Sequence, residues 1–477
     1  MECCLWQDCG LGDETVRAMV TTFCQHCKLQ DGPMGSYQTD LRPKPEDVTT
    51  QRFSDSYMNH VIRIRMKRNP HSGFILKLAP PCMQCPGLTL QAPVERGENE
   101  FRALRRFQQI VDGCVPLPLF YDKASLTLCT KELSGFRSLT EEILKGGNSE
   151  SGARTFGRTL SEIHSATHVL NVGHDGMQQL LEDIPTLDSM VSLIRVFHYE
   201  RPFDPRDPGK RCAPEVNPLL RDLYDDVNVM ATVKKVKNNF VKVKECLIHG
   251  DLHIDSVIVK DGKFKMVDLE FARVGPCAYD MGLLLATFLL LYYHHKHVPH
   301  SLDNEVKAAT SFQGHCDTKN HSLQSSRLLG KNGEGEKLSY GVSGNVEDES
   351  GREVEDEKAG RPVEGLLCAD REKEKEKENE RAQAVANMCA SVVEEYVSHI
   401  RERLHQDEAF SERMIKDIAA FAACELLSCI IGPSHFDFMD ESAQAQVDGV
   451  TSAMTILRNL DSVKTVDDVI RLATSSV

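Results

Sequence analysis

The feature that most constrains this chain is a pair of acidic motifs joined by a short hairpin pattern. The first motif is HGDLH at residues 249–253, and the second is DLE at residues 268–270. Between them lie the strand-like runs VIV and FKMV, separated by Asp261-Gly262. An Asp-Gly pair between two apolar runs favours a tight β-hairpin. Because a hairpin brings its two ends together, we expect Asp251 and Asp268 to face the same small volume.

Converging carboxylates of this kind suit phosphoryl transfer from ATP, a chemistry that depends on positioning and charge neutralisation. One carboxylate can accept or orient the proton of a hydroxyl group while two others hold Mg²⁺. Asp251 is therefore the candidate catalytic residue, and Asp268 and Glu270 are the candidate metal ligands. The alternative interpretation is an ordinary strand and turn with solvated carboxylates, but the second motif at the end of a hairpin favours the kinase-like site.

These residues resemble the kinase-like small-molecule phosphotransferases, the group that includes aminoglycoside and choline kinases, and within it the 5-methylthioribose kinase family. The narrower resemblance depends on DLE in place of DFG at residues 268–270 and on Ser256 where most relatives have Asn. It implies an α+β, protein-kinase-like, two-lobed fold. A small β-rich N-lobe that covers the nucleotide is expected at residues 1–133, and a larger helical C-lobe with the catalytic and substrate-binding residues at 134–477.

In the expected N-lobe, the resemblance assigns the nucleotide phosphates to a lysine and a helix glutamate. The run FILKL at residues 74–78 predicts a strand, and its Lys77 is the candidate phosphate-binding lysine. An edge-strand lysine that limits aggregation is the alternative. Residues 98–110 predict a helix, on which Glu100 would pair with Lys77, while Glu98 is the competing candidate.

Two positions depart from the family pattern. In the loop at residues 54–59 the family has glycines, whereas this chain has serines but keeps Asn59, the third candidate for cofactor binding. Glycine lets backbone N–H groups approach a phosphate closely. Ser428 and Cys429 stand where the family has two adjacent arginines that shape the methylthioribose site. The sequence therefore specifies the acceptor less firmly than the reaction.

The remaining chain is mostly helical in pattern, apart from a polar segment. Helices are predicted near residues 13–28, 152–170, 218–243, 382–400 and 414–431. Residues 302–380 are rich in Ser, Gly, Lys and Glu and predict a disordered insertion. The alternating charges at its end, residues 371–378, leave open that this part extends the following helix.

Composition excludes several function classes. The net charge of −15 argues against nucleic acid as a partner. The N-terminus lacks a signal-peptide pattern, and the longest apolar run, residues 281–293, is too short to span a bilayer. Seventeen cysteines without a signal peptide predict reduced thiols and a cytoplasmic location. Two CxxC pairs, at residues 24–27 and 82–85, match a zinc spacing, but ordinary thiols are the favoured interpretation.

The resemblance thus implies an ATP-dependent small-molecule kinase with ATP and Mg²⁺ as cofactors. The expected reaction converts S-methyl-5-thioribose to its 1-phosphate in methionine salvage. Two alternatives stay open: a kinase for a different sugar or amino alcohol, and a non-catalytic kinase-like protein that works through binding. The missing loop glycines and arginines favour the second alternative, whereas three converging carboxylates oppose it. No membrane or nucleic-acid partner is expected, and a homodimer is left open.

Overall fold

The computed structural model describes residues 13–26, 43–53, 58–85, 88–147, 149–299 and 363–475. Its strands are β1 Val48–Arg52, β2 His60–Met66, β3 Asn69–Leu78, β4 Cys82–Cys85, β5 Leu88–Gln91, β6 Pro118–Asp122, β7 Thr127–Lys131, β8 Arg137–Ser138, β9 Cys246–Ile248, β10 Val257–Lys260, β11 Lys263–Met266 and β12 Arg273–Gly275. Its α-helices are α1 Asp13–His26, α2 Glu95–Ile110, α3 Leu139–Leu144, α4 Glu150–Thr167, α5 Val169–Asp183, α6 Asp188–Tyr199, α7 Asn217–Asp225, α8 Val227–Lys242, α9 Ala278–His297, α10 Val363–Arg403, α11 Glu408–Ile431, α12 Ala443–Arg458 and α13 Val466–Thr474.

The N-terminal part is built on a five-stranded antiparallel sheet with the order β1-β2-β3-β7-β6. Alternate residues of β2, including Ile62 and Ile64, point into a small core with Leu76 of β3. Helix α1 covers this core with Met19 and Phe23, which are fully buried. The period-two alternation of the strand sequence therefore determines which face of the sheet α1 covers.

The C-terminal part is mostly helical and surrounds α9. Every residue of α9 from 278 to 295 is buried, because α10, α11 and α12 pack around it. A helix that is apolar on all sides is stable in water only when it is enclosed in this way. None of the helices that the structure describes is long and apolar enough to cross a membrane.

The α+β, protein-kinase-like, two-lobed fold predicted from the sequence is confirmed, with the antiparallel sheet in the first lobe and helices in the second. The N-lobe strand and helix predictions hold, and α2 begins three residues earlier than predicted, at Glu95. The lobe boundary after residue 133 stays a prediction and falls between β7 and β8.

Two sequence predictions need correction. Residues 363–380, assigned to the disordered insertion 302–380, belong to α10, so the alternating charges extend the helix as the alternative held. The rest of that insertion, residues 302–362, lies outside the described residues. The single helix predicted at 218–243 is two helices, because Asp226 caps the second by accepting hydrogen bonds from the backbone N–H groups of Asn228 and Val229.

Candidate active site

The loop that follows β9 carries the HGDLH motif and is held by a buried carboxylate. Asp280, in the first turn of α9, accepts hydrogen bonds from the backbone N–H groups of His249 at 2.6 Å and Gly250 at 3.0 Å. Gly250 has a φ of 87°, and a Cβ there would lie 2.2 Å from the carbonyl oxygen of Phe271. Only glycine fits this close approach, so this position of the loop requires glycine.

His249 ties this loop to the end of the hairpin. Its Nε2–H donates to the carbonyl oxygen of Val267 at 2.8 Å, and its Nδ1 accepts from the backbone N–H of Asp251 at 3.3 Å. Burial lowers the pKa of His249, which agrees with the neutral ring that this bonding requires. The ring therefore joins Asp251 to the strand that leads to Asp268, as a bracing role predicts.

Asp251 is the candidate catalytic residue, and its side chain is 25% exposed. Burial raises its pKa, while the nearby rings of His253, His198 and His249 oppose that shift. The Nε2 atom of His253 lies 3.9 Å from the Asp251 carboxylate. Ser256 donates its hydroxyl to the backbone carbonyl of Asp251 at 3.1 Å, so it shapes the loop. A partly exposed carboxylate with a raised pKa is suited to accept a proton.

The predicted hairpin is present and delivers Asp268 to the same region. Strands β10 and β11 pair antiparallel from Val257 opposite Met266 to Lys260 opposite Lys263. Asp261 and Gly262 between them have φ values of 49° and 70°, the positive angles that a type I′ turn needs.

Lys77 of β3 lies at the centre of three carboxylates. Its Nζ atom is 2.8 Å from Glu100, forms an ion pair with Asp268, and is 3.8 Å from Glu270. Burial lowers the pKa of Lys77, but these carboxylates outweigh burial and raise it above the ordinary value. Burial raises the pKa of Glu100 to about 7 against the effect of Lys77. For Asp268, burial acts to raise the pKa, and Lys77 nevertheless holds it below its usual range.

The pairing of Lys77 with Glu100, rather than with Glu98, is as the family resemblance implied. Glu98 instead pairs with Arg102 at 2.6 Å on the same helix and with Lys123 at 3.5 Å. The two glutamates are two residues apart, so they point to different sides of α2. Glu100 is buried and faces Lys77 of β3, whereas Glu98 is half-buried.

Glu270 is held by two groups, one of which the sequence prediction missed. Arg96 donates from Nε to Glu270 Oε2 at 3.0 Å, and Asn59 donates from Nδ2 to Oε1 at 2.8 Å. The Arg96 side chain is 0% exposed and also donates to the carbonyl oxygens of Met58 and Pro93. The signal available in the sequence was its position one turn before Glu100, on the buried face of α2.

A second buried ion pair lies on the other side of Asp251. His198 Nδ1 of α6 is 2.6 Å from Glu425 Oε2 of α11, and both side chains interact electrostatically with Asp251. Burial raises the pKa of Glu425, but His198 outweighs it and holds the pKa below the ordinary value. Cys429 donates its thiol to Glu425 at 3.3 Å, and Ser428 donates its hydroxyl to the carbonyl of Phe197 at 3.3 Å. Sequence analysis singled out neither His198 nor Glu425.

The carboxylates around Lys77 fit a divalent cation by their chemistry. Carboxylate oxygens are the ligands that Mg²⁺ prefers. Asp268 is 46% exposed and therefore accessible from solvent. Each oxygen of Glu270 accepts one hydrogen bond and, having two lone pairs, can still accept a cation. The loop residues 54–57, which the sequence analysis compared with the family's glycine loop, lie outside the described residues.

Comparison with known families decides the class of the protein. The model of the phosphotransferase enzyme family, APH, matches residues 51–294, which include Lys77, Asp251 and Asp268. The chain belongs to this phosphotransferase family. Its members are phosphotransferases, and the family implies ATP and a divalent metal as cofactors.

Among curated proteins, this chain is similar to methylthioribose kinases. It is 25% identical over 257 residues to that of Pectobacterium carotovorum (51% of this chain, 60% of the relative) and 26% identical over 247 residues to that of Cronobacter sakazakii (51% and 61%). The chain thus matches about 60% of the length of these relatives. Similar solved structures include choline kinase from Cryptosporidium parvum (TM-score 0.45, 9% identity, 96% of this chain and 99% of that one) and ethanolamine kinase from Plasmodium vivax (0.41, 12%, 87% and 84%).

Proposed function

We propose that this phosphotransferase transfers the γ-phosphate of ATP to a sugar hydroxyl, and that its acceptor is S-methyl-5-thioribose, phosphorylated at the 1-hydroxyl in methionine salvage. The observation that carries the proposal is the convergence of Asp251 with the Lys77–Asp268–Glu270 cluster. Asp280 holds the loop that carries Asp251, and His249 joins that loop to the segment that leads to Asp268. A protein that only binds a partner has no physical need for this arrangement of charges.

In this proposal each residue has a distinct task. Lys77, oriented by Glu100, positions the nucleotide phosphates. Asp268 and Glu270 would hold Mg²⁺, which when bound neutralises charge on the phosphates. Asn59 acts on the nucleotide side through Glu270, to which it donates a hydrogen bond.

Asp251 works on the acceptor side of the site. It orients the acceptor hydroxyl and accepts its proton as the bond to phosphorus forms. The raised pKa of Asp251 makes it a better proton acceptor than an ordinary aspartate. His253 and His249 fix the loop that carries it, so the carboxylate needs no rearrangement before the reaction.

The similarity to methylthioribose kinases supports the named acceptor. One observation favours a second candidate, a different sugar or an amino alcohol. The described charged groups that act on Asp251 are three histidines and Glu425, and Ser428 and Cys429 occupy the positions of the family's arginines. A carboxylate near the acceptor suits a substrate that carries an amine.

An acceptor panel tests the proposal. The full-length protein is incubated with ATP and Mg²⁺ and, in separate reactions, with methylthioribose, ribose, choline, ethanolamine and glucosamine, and phosphorylated product is detected by mass spectrometry. We expect product from methylthioribose, and none when a chelator removes the metal. Product from an amino alcohol alone would support the second candidate. No product from any acceptor, with intact ATP, would contradict both and favour a binding protein.

A further inference from the structure

A cluster of two cysteines and a histidine lies directly behind the catalytic loop. His164 of α4, Cys246 of β9 and Cys277, which follows β12, are each fully buried. Their ligand atoms, one from each residue, lie within 4.8 Å of one another. The fold brings them together because β9 and β12 pair antiparallel with Cys246 opposite Gly275, and α4 packs on β9.

The separation between the Cys277 sulfur and the His164 nitrogen fits a tetrahedral metal centre. With zinc–sulfur bonds of about 2.3 Å and zinc–nitrogen bonds of about 2.0 Å, the ligand atoms of such a centre are roughly 3.5–3.8 Å apart. Cys277 Sγ lies 3.8 Å from His164 Nδ1. The phenol oxygen of Tyr396 is the nearest fourth donor, at 2.7 Å from the same nitrogen and 3.1 Å from the same sulfur. Its hydroxyl donates to the carbonyl oxygen of Cys277 at 2.8 Å, so it would have to leave these hydrogen bonds to bind the ion.

The outer contacts of the histidine also match a metal ligand. Its second nitrogen, Nε2, donates to the Asp280 carboxylate at 3.2 Å, so Nδ1 faces the two sulfurs. Histidines that bind zinc commonly donate their other N–H to a carboxylate, which fixes the ring and makes the ligand more basic. Asp280 is the same residue that holds the catalytic loop.

The charge balance of the cluster is compatible with a divalent ion. Zinc binding to the neutral imidazole and the two cysteines would release the two thiol protons, because cysteine binds zinc as a thiolate. One divalent cation replaces those two proton charges, and the net charge in the interior stays the same.

We propose that His164, Cys246 and Cys277 form a binding site for one Zn²⁺ ion, with Tyr396 as the nearest fourth ligand. Two thiolates and an imidazole prefer zinc over Mg²⁺, so the site is distinct from the carboxylates at Lys77. Because all its side chains are buried, the centre is structural. Through Asp280 it supports the loop that carries Asp251, and it would be filled as the protein folds.

The test measures metal bound by the full-length protein. The wild type, expressed with added zinc and passed through a desalting column, is expected to retain one zinc per chain by elemental analysis. When Co²⁺ replaces zinc, a thiolate-to-cobalt absorption band and the visible bands of tetrahedral cobalt are expected. A wild type that retains no metal, and binds neither Zn²⁺ nor Co²⁺ stoichiometrically on titration, overturns the proposal.

Matched cysteine variants locate the ion. Cys246→Ser and Cys277→Ser should each lose the metal and the thiolate band, whereas Cys82→Ser, in one of the CxxC pairs, should keep both. Metal that persists in the first two variants, or disappears in the third, contradicts the assignment. If the first two variants do not fold, Cys389→Ser shows whether loss of any buried thiol prevents folding, and the thiolate-to-cobalt band of the wild type still tests the site.

Discussion

At the scale of single residues, Arg96 determines where Glu270 lies. The pair is buried, with both side chains at most 2% exposed, and Arg96 also binds two backbone carbonyls that lead into the site. Removing one partner of a buried ion pair costs stability, because the other charge then stays in the interior without a partner. The pair therefore makes the position of a candidate metal ligand depend on a residue in α2.

We predict that Arg96→Met lowers the free energy of unfolding by about 3–5 kcal/mol, the usual cost of an uncompensated buried charge. Arg102→Met is the matched control, because Arg102 lies on the same helix in an exposed pair with Glu98. Its effect should be at most about 1 kcal/mol. Urea unfolding measures both, and equal effects of the two substitutions would show that the buried pair adds no stability.

The raised pKa of Asp251 predicts a pH dependence. As a base Asp251 must be ionised, so kcat/KM should rise with pH through its pKa, which burial places above the ordinary value of 3.8. Asp251→Asn should abolish that limb of the profile. Asp255→Asn, an exposed aspartate in the same loop, should retain it. A limb that persists unchanged in Asp251→Asn belongs to another group.

The site residues that sequence analysis could find are those whose motif is local. Asp251, Asp268 and Glu270 stand in short motifs beside a recognisable hairpin. Arg96 and His198 could not be assigned, because their partners Glu270 and Glu425 are 174 and 227 residues away in the chain. Only tertiary packing shows that each pair is buried together.

At the scale of elements, one close contact that supports the C-lobe is between α4 and α10. A Cβ at Gly157 would lie 2.4 Å from the backbone carbonyl oxygen of Val392, so the two helices approach at a glycine. The stripe of Val385, Met388, Val392 and Tyr396 that the sequence predicted is buried. Periodicity identified this face of α10, but it could not show that a glycine on α4 sets the distance.

We predict that Gly157→Ala destabilises the protein by about 1–3 kcal/mol, because the added methyl group forces the helices apart. The sign of this change in stability is informative. In a helix interior without a close neighbour, alanine stabilises by about 0.5–1 kcal/mol relative to glycine. Thr155→Ala, at an exposed position of α4, serves as the control and should change stability little. A more stable Gly157→Ala variant, measured by thermal unfolding, would contradict the close approach.

The break between α7 and α8 shows a limit of periodicity at this scale. The apolar pattern runs through residues 218–243, so the sequence predicts one helix. Asp226 ends it because its side chain caps α8 and also pairs with Arg458 of α12 at 2.8 Å. The second contact comes from an element 232 residues away, which a local pattern cannot contain.

At the scale of the whole molecule, the candidate site joins the sheet lobe to the helical lobe. Lys77 comes from β3, while Asp268 and Glu270 follow β11, and Glu100 of α2 completes the cluster. A nucleotide that contacts both sides should therefore hold the lobes together. The fold class was predictable because the local motifs HGDLH and DLE resemble a family of known fold, whereas the acceptor depends on side chains from distant helices.

We predict that a non-hydrolysable ATP analogue with Mg²⁺ raises the melting temperature of the wild type. A ligand at about 100 times its Kd stabilises the folded state by about 2.7 kcal/mol. Lys77→Met should lose most of the shift, whereas Lys67→Met, an exposed lysine beside the same hairpin of the sheet, should keep it. Equal shifts in both variants would mean that the nucleotide does not contact Lys77.

The most direct test of the proposed reaction compares wild type and Asp251→Asn for transfer of labelled γ-phosphate from ATP to methylthioribose. The substitution keeps the size of the side chain but removes the proton acceptor. We expect kcat to fall by about 10²–10⁴-fold, the usual contribution of a general base, with nucleotide affinity unchanged. Loss of less than about threefold, well below that range, would contradict the role of Asp251. Absence of labelled product from the wild type would contradict the proposed reaction itself.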